Sequence, residues 1–336
     1  MAIDNRIKSN VVTVVIALLL AATYLANVGV LEIPQLPLAQ LSWAQWLVAA
    51  RDHAPTALER WMLEWQSSHP TWALLLSMSL LLGGAIYTMR LTIKHNLFGA
   101  IIHIPSILYA ALMIAIITPA QMILAPFAGV IMIMSLRKIY DAYTSDLSSP
   151  KIFSGCFWIG VIPLIYPSSL PLVALFLPVM VVLERGGREL LLAVWAIVTP
   201  ATILLYAAWL FGVDTGELLG TYWGSLMGGE YALRCDPVGL ALILLSGIMA
   251  VVTVGKIDTI SISIIARQRI IYTMTIVVCS LLAIALPSFR TATFAAAAAA
   301  PVAILATTLF LELKTRWATL LYLIFVVLTI LSAGVA

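Results

Sequence analysis

Charge is what this sequence has least of. Asp, Glu, Lys and Arg make up 10% of its 336 residues while hydrophobic residues make up 62%, where a soluble domain carries about 25% charged residues. Such a chain is expected to be an all-α, polytopic helical membrane bundle forming a single transmembrane domain over 1–336. Inside the apolar runs ionisable residues all but vanish, and ion-coupled carriers need them, or unwound polar backbone, near the bilayer midplane. A proton- or sodium-driven pump is therefore disfavoured. Cysteine is scarce as well: Cys156, Cys235 and Cys279 form no CxxC pair and no disulfide framework, so three free thiols are expected. The four histidines, His53, His69, His95 and His103, have no metal-ligand spacing. P-loop, GxSxG, HExxH and Rossmann fingerprints are all absent. No cofactor, metal or nucleic-acid partner is expected.

What the chain has in abundance is apolar runs of near-span length. They fall near 11–30, 71–89, 97–117, 120–136, 152–166, 169–184, 189–211, 238–255, 270–288, 292–311 and 317–335, eleven in all. The first is long enough to be a retained helix and lacks a small-residue cleavage site before Glu32. Basic residues divide unevenly between alternate connections. Arg6, Lys8, Arg90, Lys94, Arg137, Lys138, Lys151, Arg185, Arg188, Lys256, Arg267, Arg269, Lys314 and Arg316 fall on one side; Arg51, Arg60, Arg234 and Arg290 fall on the other. The positive-inside rule then predicts a cytoplasmic N-terminus and an external C-terminus, and a bacterial inner-membrane location is expected.

One stretch departs from ordinary spans. Between Arg137-Lys138 and Arg185-Gly-Gly-Arg188 lies an apolar hairpin, 152–184, broken by Pro163, Pro167, Pro171 and Pro178. Each arm is about 15 residues, short of the roughly 20 a crossing helix needs. A re-entrant hairpin would leave nine true spans and the same orientation of both ends.

Two external loops stand out. In the first, 31–70, Trp43, Trp46, Leu47 and Ala50 recur at helical spacing, as do Leu58, Trp61, Met62 and Trp65, and Thr56-Ala-Leu-Glu59 has the form of a capping box. Two amphipathic helices lying among the head groups are predicted. The second, 212–237, is rich in glycine and carries Asp214, Glu217, Glu230 and Asp236. Residues 257–265 largely alternate apolar and polar and are read as an interfacial segment on the basic side. Pro105, Pro119 and Pro126 are expected to kink the third and fourth spans, and His103 to sit within the third. The alanine run Ala295–Ala300 before Pro301 predicts a close helix-packing face.

Two groups of candidate site residues follow. Arg90, Lys94, Arg137, Lys138, Arg185 and Arg188 share the predicted cytoplasmic face, where they can bind a phosphate or diphosphate head group or simply orient the chain. On the outer face Glu32 follows the first span directly, with Asp52, Glu59 and Glu64 beyond it.

From Arg137 to Phe211 the order of basic turn, SSPK linker, Pro-rich double run, ERGGRE and a final run containing Thr199-Pro200 resembles an uncharacterised family of multi-pass inner-membrane proteins from Bacteroidetes-type bacteria. More distantly, the layout resembles C-type membrane glycosyltransferases. Those have a cytoplasmic N-terminus, a first external loop of interfacial helices, and a catalytic acid just after span one. Glu32 occupies that position here, although Ile33 and Pro34 stand where the paired acidic motif would continue. The resemblance implies sugar transfer from a polyprenyl-phosphate carrier, with Glu32 or Asp52 as the carboxylate base beside the acceptor hydroxyl. Beside that reading stand a non-enzymatic subunit of an envelope machine, with envelope protein partners, and a transporter of lipids or amphiphiles.

Overall fold

The computed structural model of the chain describes residues 19–25, 57–98, 103–117, 121–144, 148–165, 173, 187–216, 218–220, 237–254, 263–285, 292–312 and 315–332. Their secondary structure is helical throughout. After a helical segment at 19–25 come α1 (Ala57–Ser68), α2 (Pro70–Lys94), α3 (Ile104–Ile116), α4 (Leu124–Ala142) and α5 (Ser148–Ile165). They are followed by α6 (Gly187–Leu210), α7 (Pro237–Val254), α8 (Ile264–Ala285), α9 (Ala292–Glu312) and α10 (Thr315–Ser332). Among these, α2, α6, α8 and α9 are long and apolar enough to cross a membrane. At 1.5 Å per residue α3, with 13 residues, extends only about 20 Å.

The alanine-rich helix α9 forms the centre of the bundle. Ala295 to Ala300 have essentially no exposed surface, nor do Val302, Ala303, Ile304 and Leu305. A row of methyl-sized side chains lets neighbouring backbones approach closely, and α9 is accordingly packed against α3, α4, α7 and α8. Two of its threonines bond within the helix: Thr307 Oγ1 donates to Ala303 O (2.8 Å) and Thr308 Oγ1 to Leu305 O (2.6 Å). The packing face predicted from the alanine run is thus the hub of the fold.

Around this hub the helix ends sort into two groups. Lys94 at the end of α2 pairs with Asp141 at the end of α4, and Lys151 in the first turn of α5 donates to Asp141 O (3.3 Å). Ser148 Oγ donates to Glu189 Oε1 (3.0 Å), which brings the starts of α5 and α6 together. Arg269, near the start of α8, reaches the same place. At the opposite end Tyr24 donates to Ser77 Oγ (2.6 Å), Ser77 donates to Met122 O, and Thr293 Oγ1 donates to Gln121 Oε1 (3.2 Å). Basic residues expected to share a face therefore do share one end of the bundle.

Part of the hairpin lies among the described residues. Helix α5 begins at Ser148, one turn before the expected arm, and α6 starts beside it. Further along, Gly160 of α5 meets the backbone of α6 at Ile197 so closely that a Cβ at position 160 would overlap the Ile197 carbonyl. Two helices that touch at their starts and again about ten residues later run parallel. The turn of the hairpin, 166–169, lies outside the described residues.

Several expected boundaries shift. Pro105 and Pro126 kink nothing: each sits in the first turn of its helix, where the missing N–H would have had no partner anyway. Arg137 and Lys138 were expected in a turn beyond a span ending at 136, yet α4 runs on to Ala142, because Arg and Lys are good helix formers and no Gly or Pro intervenes. By the same logic α8 starts at Ile264 and takes in Arg267 and Arg269. His103 lies at the exposed start of α3, its Nδ1 3.0 Å from Met89 Sδ, and not inside a span. Of the two loop helices, the second is α1, while 43–50 lies outside the described residues. In α1 Leu63 and Gln66 are buried, with Met62 and Trp65 beside them, and Trp61 is 60% exposed. Cys156 and Cys279 are free thiols.

Candidate anion site at the basic end of the bundle

The last two turns of α2 place Tyr87, Arg90, Leu91, Ile93 and Lys94 around a cleft of about 390 Å³ whose remaining wall is Arg137 of α4. Helix α2 stops there for a local reason. Asn96 adopts a left-handed conformation (φ 46°), which asparagine tolerates better than most residues. Leu97 N then donates to Thr92 O (3.1 Å) and Asn96 N to Ile93 O (3.0 Å), and the Leu97 side chain is fully buried. This is a Schellman ending with Asn in place of the usual Gly.

Within the cleft Arg137 Nη1 donates to the Tyr87 hydroxyl, and its guanidinium carbon lies 5.5 Å from the centre of the Tyr87 ring. Arg90 and Arg137 are exposed, and no ion pair ties either one to an acid among the described residues. Lys94 is half exposed; its Nζ is 2.8 Å from Asp141 Oδ1. An ion pair this exposed contributes at most about 1 kcal/mol to stability. Burial opposes charge on the Asp141 carboxyl, but the hydrogen bond and charge of Lys94, with His95 and Lys151 nearby, outweigh it and hold the group below its ordinary value.

Beneath the cleft lies a buried layer. His95 is 6% exposed, its ring is set edge-on to Tyr140 at 5.4 Å, and its Nε2 lies 3.6 Å from Asp141 Oδ1 without a hydrogen-bond partner. Burial, then the positive charge of Arg269, push its pKa down to about 4, so the ring is neutral at pH 7. Arg269 itself is 5% exposed. Its Nε and Nη2 donate to Tyr140 O (3.2 and 2.9 Å), and its Nη1 donates to His95 O (3.2 Å). One guanidinium thus caps the C-terminal ends of α2 and α4 from a third helix, placing positive charge where both helix dipoles are negative.

The six predicted phosphate-binding residues are only partly gathered. Arg90, Lys94 and Arg137 line the cleft; Lys138 follows on α4, half-buried and outside the lining; Arg188 is exposed at the start of α6; Arg185 lies outside the described residues. The candidate bases Glu32 and Asp52 also lie outside them. Sequence reasoning missed Asp141, His95 and Arg269 as parts of this arrangement. Nothing in the sequence neighbourhood of Arg269 or His95 marks either as buried.

A second cavity, about 260 Å³ and almost wholly apolar, runs along α2 and α3 beside the helical segment 19–25. Leu20, Ala21 and Tyr24 form one wall, Leu81, Ala85 and Met89 the floor, and Ile107, Ala110 and Ile114 the other wall. It opens past Leu82 and Ile86, which are more than half exposed. Among the described residues no group of three His, Cys, Asp or Glu side chains could hold a metal ion. No protein-family model, curated protein or solved structure matches this chain.

Proposed function

We propose that the chain is a multi-pass protein of the bacterial inner membrane that works on a lipid carrier in envelope glycan assembly. In this reading it transfers a sugar from polyprenyl phosphate, with Glu32 or Asp52 as the base. The observation that carries it is the apolar groove against residues 20–24. A groove flanking the first span suits a hydrocarbon chain held in the bilayer, and Glu32 follows Tyr24 closely in the sequence. The reading comprises eleven spans, or nine with a re-entrant hairpin at 152–184, and puts the basic end of the bundle in the cytoplasm. Membrane lipids and a polyprenyl-phosphate carrier are its ligands, and envelope proteins its partners.

Leu82→Trp tests the groove, because Leu82 is exposed at its mouth and the larger ring obstructs entry without disturbing the core. The variant is expected to lose co-purifying isoprenoid lipid and the ability to restore envelope glycan in a deletion strain. Glu32→Gln keeps shape and removes charge; failure to restore function at normal protein level supports the base. Full restoration by both variants refutes this reading. It would favour the non-enzymatic scaffold, for which the packed, ionisable-free stretch of α9 from Ala292 to Leu311 is the supporting observation.

A further inference from the structure

Three cations and one carboxylate meet at the cleft, and they are not equivalent. Arg90 and Arg137 come from different helices and converge on one opening. Lys94 is occupied by Asp141 through a pair exposed enough to exchange. Guanidinium forks match the geometry of phosphate oxygens, and a phosphate ester or diphosphate carries the charge that two unpaired guanidiniums leave uncompensated. The lining of Arg90, Lys94, Arg137 and Tyr87 suits a charged head group and not a hydrocarbon chain.

Orientation in the membrane needs only net positive charge on this side, wherever it lies. It does not require two arginines from separate helices to face each other, nor a tyrosine hydroxyl accepting from one of them. The negative ends of α2 and α4 would normally repel an anion here. Arg269, bonded to carbonyls of both, offsets them from below.

We propose that this cleft binds a phosphate or diphosphate group on Arg90 and Arg137, and that the bound group displaces Asp141 from Lys94. Asp141 thus acts as an internal placeholder for the ligand. In the lipid-carrier reading this end is cytoplasmic and Glu32 external, so the phosphate bound here is not the group that reacts at Glu32; the inference goes beyond that reading and rests on it only for a lipid as the source of the phosphate.

The test uses the full chain in phosphatidylcholine nanodiscs titrated calorimetrically with inorganic pyrophosphate. A second preparation is doped with phosphatidic acid and read by native mass spectrometry for retained lipid. Arg90→Gln is expected to weaken pyrophosphate binding about tenfold, the size of one lost charge-assisted hydrogen bond. Arg137→Lys keeps the charge and the fold but loses the fork, and should weaken it similarly. Asp141→Asn should tighten binding several-fold by freeing Lys94. Arg188→Gln removes a charge from the same end without touching the cleft and should change nothing. Equal effects of Arg188→Gln and Arg90→Gln would reduce the site to diffuse surface charge and overturn the proposal. An unchanged affinity in Asp141→Asn would overturn the displacement. Retention of phosphatidic acid that Arg90→Gln abolishes identifies a lipid phosphate. Binding of pyrophosphate alone leaves the site standing and identifies a free phosphate as its ligand, and binding of neither sinks the site.

Discussion

Replacing Arg269 with methionine removes a guanidinium while keeping a long, flexible, apolar side chain. In the native chain that group makes three hydrogen bonds of 2.9 to 3.2 Å to two backbone carbonyls, Tyr140 O and His95 O. Both belong to helix ends, where the last carbonyls have no partner within the helix. Leaving two buried acceptors unsatisfied costs about 1–3 kcal/mol each. Methionine recovers part of this, because burying a charge is itself unfavourable and that penalty disappears. The expected net loss is about 3 kcal/mol, measured as the unfolding free energy of the purified protein in bicelles by denaturant titration. Arg269→Lys keeps the charge but cannot bridge both carbonyls at once, so it should fall roughly midway. Arg90→Met, on an exposed side chain, should stay within about 0.5 kcal/mol of the parent. If Arg269→Met proved as stable as Arg90→Met, Arg269 would not be the cap that joins α2, α4 and α8, and the reasoning would fail.

Two further outcomes follow from the packing and from His95. Gly160→Ala should destabilise by about 1–3 kcal/mol, because its Cβ would collide with the Ile197 backbone, whereas Gly83→Ala, with nothing within 4 Å, should be neutral or slightly stabilising; equal stabilities would refute the close α5–α6 contact. For His95, the folded pKa of about 4 lies below the ordinary 6.5, so between those values the unfolded chain binds the extra proton and stability falls as pH falls. From pH 6.5 to pH 5 that loss is about 2 kcal/mol. His95→Gln should flatten the dependence over that range, and an unchanged slope would remove His95 as its source; the Asp141 carboxyl, held below 3.8, contributes only at more acid pH.

How far the sequence alone revealed these features depended on which physical signal each residue left. Helix α9 was legible because six consecutive alanines have few uses besides close packing. The shared end of Lys94, Arg137 and Lys151 was legible because charge asymmetry between alternate connections survives errors in individual helix limits. Boundaries were less so: Arg137 and Arg269 were taken as ends of apolar runs, but a helix continues past the hydrophobic zone until its backbone bonding is interrupted, as at Asn96. His95 and Arg269 left no signal, since a buried guanidinium held by backbone carbonyls needs no particular partner residue and pairs positions 174 apart.

That long-range pairing ties the stability of the basic end to its electrostatics. The ends of α2 and α4 bring about half a negative elementary charge each to the place where Arg90, Lys94 and Arg137 converge. Without compensation the two helix ends would cancel much of the field that three cations create. Arg269 restores the balance from a position almost out of contact with water, where its charge is weakly screened by salt. The exposed Lys94–Asp141 pair, by contrast, is screened and exchangeable. A buried, fixed cation below and a mobile pair above divide the work: the first sets the sign of the potential, and the second sets how easily an anion can enter. Raising ionic strength should therefore weaken anion binding through Arg90 and Lys94 well before it loosens the junction of α2, α4 and α8.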